Sequence, residues 1–527
     1  MIKKIFFVIF ILIFLTNIGF ADSIESTPVG PGIIHHHEIR EAGPWHIQVL
    51  EIDLTNEWIK LETVKANDRL GGMERTSSMA VRNDHESHRV VGAINGDFYE
   101  AGGIPVGAQV LDGVLLKRPT TRSVFGLISI NRPVINIMSF EGLISSKRKN
   151  SIAINGVNEI RGINSLILYN NYYGSSTRTN IWGTEIVAEY FTNHPVINDT
   201  FYVVVMAKDS VMDTGHGNNT IPTNGMVLSG HGTATIFLNE NVLVGDTLSI
   251  ILKLSPVKDS IIELIGGTPR LIRNGVAIVE WEQEHTSRSF AYDRHPRTAV
   301  GFNQDSTKLY FFTVDGRQPG YSVGMSLFEL ADYMLEWGVY QGVNLDGGGS
   351  TTMVVRGDVI NSPSDATGER SVANALMVIS TAPTGPLSFL NISPKDVYVL
   401  TGNQMQFSVS GFDQYYNPVT ISSDSLEWSC ALKIGNISES GLFTAGMSQD
   451  SGYVYVSYRD VRDSARVYIT RVASIELLPH PLILMVGGES QIQKEYENLV
   501  TTRRRQLEKP LNEIESLRTQ PGLPLAE

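Results

Sequence analysis

The stretch Asn344-Leu345-Asp346-Gly347-Gly348-Gly349-Ser350, with Thr351 and Thr352 behind it, has the composition of a reactive anion site. Three consecutive glycines can turn several backbone N–H groups toward one point and so form a nest for an anion. Ser350 and Thr351 add hydroxyl donors, and Asp346 stands at the rim, able to act as base, nucleophile or ligand. A flexible glycine turn is the competing reading, but such a turn needs neither an acid before it nor three hydroxyls after it. No Gly-Lys-Ser/Thr follows, so this is not a nucleotide phosphate loop.

Two other clusters carry chemistry. Arg297 and Thr298 open the run to Phe302, and Asp315-Gly316-Arg317 closes the apolar run Leu309 to Val314. Arginine offers a planar fork of donors suited to phosphate or carboxylate. For Arg297 an ion pair with a nearby acid competes with that role, whereas the position of Arg317 at a strand end favours a site. Asn95-Gly96-Asp97-Phe98-Tyr99, with Gly102, Gly103 and Gly107 behind it, allows backbone to approach a ligand closely. A hairpin turn explains the Asn-Gly pair equally well.

These residues need strands to hold them. His46 to Leu54 alternates apolar and polar residues, and short strand-like runs separated by Gly, Pro, Asn and Asp continue to about Ser380. The clearest helix follows Met325: Ser326 and Glu329 form a capping box ahead of Leu327, Leu330, Met334 and Leu335, and Gly338 suits its end. Strands Arg297 to Phe302 and Lys308 to Asp315 precede it; Val339 to Leu345 and Thr351 to Arg356 follow. This order predicts an α+β domain with a mixed sheet and few helices, in which Asp315 and Asp346 sit on loops just past strand ends.

Taken together, Asn95-Gly96, Arg297-Thr298-Ala299, Asp315-Gly316, the helix from Ser326, Asn344 to Ser350, Pro363-Ser364-Asp365 and Gly368 to Asn374 resemble the phosphodiester glycosidase family. The resemblance covers roughly Val90 to Ile379 and implies cleavage of a sugar-1-phosphodiester, such as an α-N-acetylglucosamine-1-phosphodiester or a related cell-surface glycan. It implies Asp346, Asp315 and Arg317 as catalytic residues. Substrate binding falls to Asn95, Asp97, Arg297, Thr298, Gly347, Gly348, Gly349, Ser350, Thr351 and Arg370. Asp97 departs from the family pattern, standing where members often have a small residue. Cutting at the anomeric carbon expels a phosphate monoester, already a good leaving group, so donors for the phosphate matter more than a strong general acid. No cofactor is predicted. A divalent metal is conceivable for attack at phosphorus, but no ligand spacing marks one, because successive residues of His35-His36-His37 point to opposite faces of a strand. Two other functions compete: a non-catalytic carbohydrate-binding adhesion protein, and a glycosidase acting on another anionic polysaccharide.

The whole chain sets the frame. Its 527 residues exceed one core, and a formal net charge of −13 speaks against a nucleic-acid partner. Lys3, Lys4, the apolar run Ile5 to Leu15 and Gly19-Phe20-Ala21 have the layout of a signal peptide over 1–21, so a secreted or cell-surface protein is expected. If the segment stayed uncleaved, it would be the only membrane contact. Residues 22–380 form the enzyme-like domain, 381–386 a Pro/Gly linker and 387–471 an all-β module resembling bacterial Ig-like domains. The spacing of Pro394 to Gly402 recurs in Pro479 to Gly487, so a second module begins at 472. It breaks off by 493, and 494–527 reads as a polar helical or disordered tail, consistent with a frame change. Cys430 is the only cysteine and shares a strand face with Trp428, which predicts a buried structural thiol.

Overall fold

Arg297–Phe302, Lys308–Val314 and Gln341–Asn344 are buried at nearly every residue, the pattern of strands covered on both faces. A computed structural model describes residues 22–128, 131–191, 195–209 and 217–471, together with the backbone of 474–478 and 493–497. In it these strands are central to an eight-stranded sheet. Its order is Ser23–Gly30, Ile33–Arg40, Trp45–Asp53, Lys308–Val314, Arg297–Phe302, Gln341–Asn344, Arg270–Arg273 and Val276–Ala277.

Arg297–Phe302 runs antiparallel to both neighbours, with Arg297 opposite Val314 and Ala299 opposite Asn344. The beginning of one strand and the ends of two others therefore meet at one end of the sheet. Asp315, Arg297 and Asp346 are delivered there by topology alone.

The helix Leu327–Glu336 carries the chain across Arg297–Phe302 from one flanking strand to the other, and it starts as expected. Ser326 Oγ accepts the Glu329 N–H at 3.2 Å, and Glu329 Oε2 accepts the Ser326 N–H at 2.8 Å. Such a cap contributes about 1 kcal/mol. Leu327, Leu330, Ala331 and Met334 then pack on Ile47, Val49, Phe312 and Val314. Gly338, at φ +76°, ends the helix in a conformation that penalises a β-carbon.

The opposite face packs Leu50, Val300, Phe311 and Val343 against Ile94, Met353, Leu376 and Val378 of a five-stranded sheet. That sheet runs Asp358–Val359, Met353–Val355, Arg89–Asn95, Asn374–Ser380 and Ile59–Lys65. Asn95 lies opposite Ala375 and Ile94 opposite Met353, so this sheet too presents strand ends to the same place. The helix Thr76–Asn83 covers its outer side through Met79 and Ala80. The α+β organisation read from the sequence is thus present, the central sheet being built of antiparallel pairs.

Ser139–Ser145 to Thr247–Ser255 form a further lobe of the same unit, a second eight-stranded sheet backed by the helix Thr233–Asn241. It has its own core, including Leu168, Ile186, Leu228, Leu238 and Ile250, and contains a parallel pair, Gly156–Val157 with Leu166–Asn170. Uniform short strands gave no sequence signal for this lobe.

The chain divides into two compact units, Met1–Ala382 and Pro383–Glu527. In the second, three small sheets surround a core that includes Ile392, Val399, Phe443, Val456 and Val467. Asp396–Leu400 pairs parallel with Val461–Thr470. Trp428 and Cys430 share the face packed on this core; the thiol is half-buried, 3.3 Å from the Gly435 carbonyl, and burial raises its pKa. Gln493–Glu497, assigned in part to a helical or disordered tail, instead forms a strand antiparallel to Ser474–Leu478. The expected signal segment 1–21 and the tail from 498 lie outside the described residues.

Candidate active site

Asn95 organises the site. Its Nδ2 donates to the Asp346 carbonyl at 2.6 Å, while its Oδ1 accepts from Thr298 Oγ1 at 2.8 Å and from the Thr352 N–H at 3.0 Å. One fully buried side chain thus joins both sheets through three segments. The Asp346 N–H adds a 2.9 Å bond to the Gly96 carbonyl, which sets Asp97 beside Asp346. The sequence assigned Asn95 and Thr298 to substrate; in the fold their polar atoms serve the framework.

The three glycines do not form the expected anion nest. Gly347 N–H is directed at the Asp346 carboxylate, and Gly348 N–H donates to the Pro296 carbonyl at 2.9 Å. The N–H groups of Ser350 and Thr351 close a short 3-10 turn on Gly347 and Gly348. What the glycines provide is room. A β-carbon on Gly348 would stand 3.0 Å from Arg317 Nη2, and one on Gly349 would stand 2.5 Å from Arg370 Cζ. The loop is a seat for two guanidinium groups.

Arg317 is exposed, with φ +61°, and its Nη2 lies 3.4 Å from His295 Nδ1. It makes no salt bridge among the described residues. Arg370 is held differently: Nε and Nη2 donate to the two Asp365 oxygens at 2.7 and 2.8 Å, a bidentate pair that fixes the fork. Its charge also acts on Asp346.

Asp346 is only partly covered, yet its carboxyl is raised to about 6. Burial is the main cause, opposed by the Ser350 hydroxyl, the Gly347 N–H and Arg370. Ser350 Oγ acts on Asp346 without meeting hydrogen-bond geometry, and the Thr351 and Thr352 hydroxyls find no partner among the described residues. All three are buried, so Ser350 and Thr351 are walls of the site rather than open donors.

Arg297, expected to bind substrate, and Asp315, expected to be catalytic, are both tied into the framework. Arg297 is 1% exposed and spends its donors on main-chain carbonyls: Met325, Phe290 and Asp293, each at 2.8 Å. Burial lowers its pKa to about 10, and these acceptors take the Nε and Nη2 donors, tying the guanidinium to the framework. Asp315 is equally buried. It accepts from Asn361 Nδ2 at 3.0 Å, from the Ser362 N–H at 2.9 Å and from Tyr321 Oη at 3.2 Å. Burial raises it to about 6 despite these bonds. Asn361 in turn accepts the Met353 N–H at 2.8 Å, so Asp315 anchors the segment that leads to Asp365.

Asp97 is 1% exposed. Its N–H donates to Asn374 Oδ1 at 2.8 Å, and its Oδ2 accepts the Gly107 N–H at 2.6 Å. Burial pushes it up to about 7; Gly107 and Arg122 oppose that shift and Asp346 adds to it.

Arg122, His295, Asp365 and Asn374 were missed as site residues by sequence reasoning. Asp365 and Asn374 lay within stretches that carried the resemblance. His295 and Arg122 gave no signal beyond a position next to a strand start. Burial and the neighbouring Arg297 and Arg317 lower the His295 pKa. The triplet His35, His36 and His37 lies in the strand Ile33–Arg40 and is engaged locally, for example His35 with Gln48 at 2.8 Å. Among the described residues no group of three or more His, Cys, Asp or Glu side chains is arranged to hold a metal ion.

A carboxylate just before a loop that seats two arginines is suited to an anionic ligand. Residues 199–379 match the family model described as phosphodiester glycosidase. The chain is 34% identical over 113 residues to bovine N-acetylglucosamine-1-phosphodiester alpha-N-acetylglucosaminidase, covering 20% of this chain and 21% of that protein. It is 39% identical over 85 residues to an uncharacterised prophage-derived protein of Bacillus subtilis, covering 16% and 13% respectively. A crystal structure of a hypothetical protein from Synechocystis shares the fold: TM-score 0.53 at 20% identity, over 68% of this chain and 64% of that one. The match to a phosphodiester glycosidase domain thus lies in residues 199–379 of the first unit. The matches span about a fifth of the mammalian relatives' length. The matched region contains Arg317, Asp346 and Arg370 but not Asn95 or Asp97, which an earlier part of the chain brings in.

Proposed function

We propose that the first unit is a hydrolase that cleaves the glycosidic bond of a sugar-1-phosphodiester on a cell-envelope or extracellular glycan. One observation carries the reading: Arg317 and Arg370 are each seated on a glycine of the loop that follows Asp346, and the charge of Arg370 acts on that carboxylate. The arginines would hold the phosphate, Arg317 as an exposed fork and Arg370 as one aimed by Asp365. Asp346 would take a proton from water as the water oxygen attacks the anomeric carbon. The carbon–oxygen bond to phosphate breaks, its electrons go to the phosphate oxygen, and a free sugar and a phosphate monoester leave. The alternative role for Asp346 is electrostatic support of an oxocarbenium ion. Asp315 is a positioning residue in this scheme, acting through Asn361 and Ser362.

Secretion follows from the expected signal segment, and the second unit would serve as an Ig-like spacer or adhesion module. Hydrolysis in ¹⁸O-labelled water tests the reaction. Label in the released sugar supports attack at carbon; label in the phosphate monoester would place the attack at phosphorus and overturn it.

A further inference from the structure

The pocket around Asp97 is built for a carboxyl group that nothing neutralises. A β-carbon on Gly266 would stand 2.6 Å from Asp97 Cγ, and one on Gly107 would stand 3.0 Å from Oδ2, so both glycines are needed for the side chain to fit. Oδ2 has its bond from Gly107, but Oδ1 is buried and has no partner among the described residues. No salt bridge reaches Asp97 among the described residues. Arg122 acts on it only at a distance, with its guanidinium 5.6 Å from the Phe98 ring centre. A bare carboxylate oxygen in such a place is costly, whereas a carboxylic acid is tolerated. The groups acting on the pair Asp97–Asp346 are Arg122, Arg370, the N–H groups of Phe98, Gly107 and Gly347, and the Ser350 hydroxyl.

We infer that Asp97 is a specificity-determining residue that must be a neutral acid for an anionic phosphodiester to bind beside Asp346. With Asp97 protonated, the site holds one carboxylate against the two arginines seated on its loop. With Asp97 ionised, a second buried negative charge faces the substrate phosphate across a medium that screens poorly. Anion affinity then falls as pH rises through the titration of Asp97. The inference rests on reading this site as one that receives a phosphodiester.

Binding of diethyl phosphate to the full chain tests it, because that anion keeps one charge throughout the range and undergoes no turnover. Between pH 6 and pH 8 the wild-type Kd should rise roughly tenfold, about 1.4 kcal/mol. Asp97→Asn keeps an acceptor for Gly107 and should lose most of that rise, keeping only the small part, about twofold, that comes from Asp346. Arg122→Gln, a change at a half-exposed side chain, removes a cation that favours the ionised form. It should move the midpoint to higher pH, which covers the case in which Asp97→Asn does not fold. A flat wild-type profile, no binding at any pH, an Asp97→Asn profile as steep as wild type, or an unmoved midpoint in Arg122→Gln would each overturn the inference. pH-dependent binding without turnover of any glycosyl phosphodiester would defeat the hydrolase reading alone.

Discussion

Arg370 rests its guanidinium on Gly349, where a β-carbon would stand 2.5 Å from Cζ. Gly349 has no positive φ, so the backbone accepts alanine, and the methyl group acts only by displacing Arg370 and its partner Asp365. Gly349→Ala should therefore lower kcat/KM roughly 100-fold, about 2.7 kcal/mol, with a smaller loss in Tm. Steady-state kinetics beside thermal melts will check this; full activity would mean that Arg370 takes no part.

Arg317 has little framework role, being exposed and bonded only loosely to His295. Arg317→Ala should raise KM by roughly tenfold to 100-fold while Tm hardly changes. Arg317→Lys should recover only part of that, since an ammonium cannot reproduce the fork. A large fall in Tm would assign Arg317 to the framework instead.

Arg297 predicts the reverse. Its replacement by methionine would leave three carbonyls without their donor, at a cost of about 3 kcal/mol or more. Denaturant unfolding should show that loss. Activity of the remaining folded protein at low temperature should fall much less than for Arg317→Ala.

Stability should depend on pH in a definite direction. Asp97, Asp315 and Asp346 titrate at about 7, 6 and 6 in the fold, against 3.8 as the ordinary value. The native state then binds more protons than the unfolded chain between these limits, so stability present below pH 4 is lost as pH rises through 6 and 7. Tm should be higher at pH 5 than at pH 8, and Asp97→Asn should flatten part of that slope. A Tm that climbs steadily from pH 5 to pH 8 would contradict these assignments.

Much of this was legible in the residues. The capping box at Ser326 and Glu329, and the strands from Arg297 to Phe302 and Lys308 to Val314, followed from spacing and apolar content that the packed sheet then used. Asp346 and Arg317 were marked by their place just past strand ends. Hydrogen-bond partners were not legible, because they come from residues far apart in sequence. An arginine that will be swallowed by three carbonyls looks like one that will hold a phosphate, as Arg297 shows. The glycines of 347–349 misled for a related reason. Sequence reveals a missing side chain but not whether the space serves an anion or a neighbouring guanidinium.

Asp346→Asn measured against wild type on a glycosyl-1-phosphodiester bears most directly on the role of this site. The substitution keeps size and backbone contacts, so Tm should stay within a few degrees. kcat should fall by roughly 1,000-fold or more, about 4 kcal/mol in the barrier. An Asp346→Asn enzyme that folds and turns over within tenfold of wild type would remove Asp346 from the chemistry and the proposed site with it.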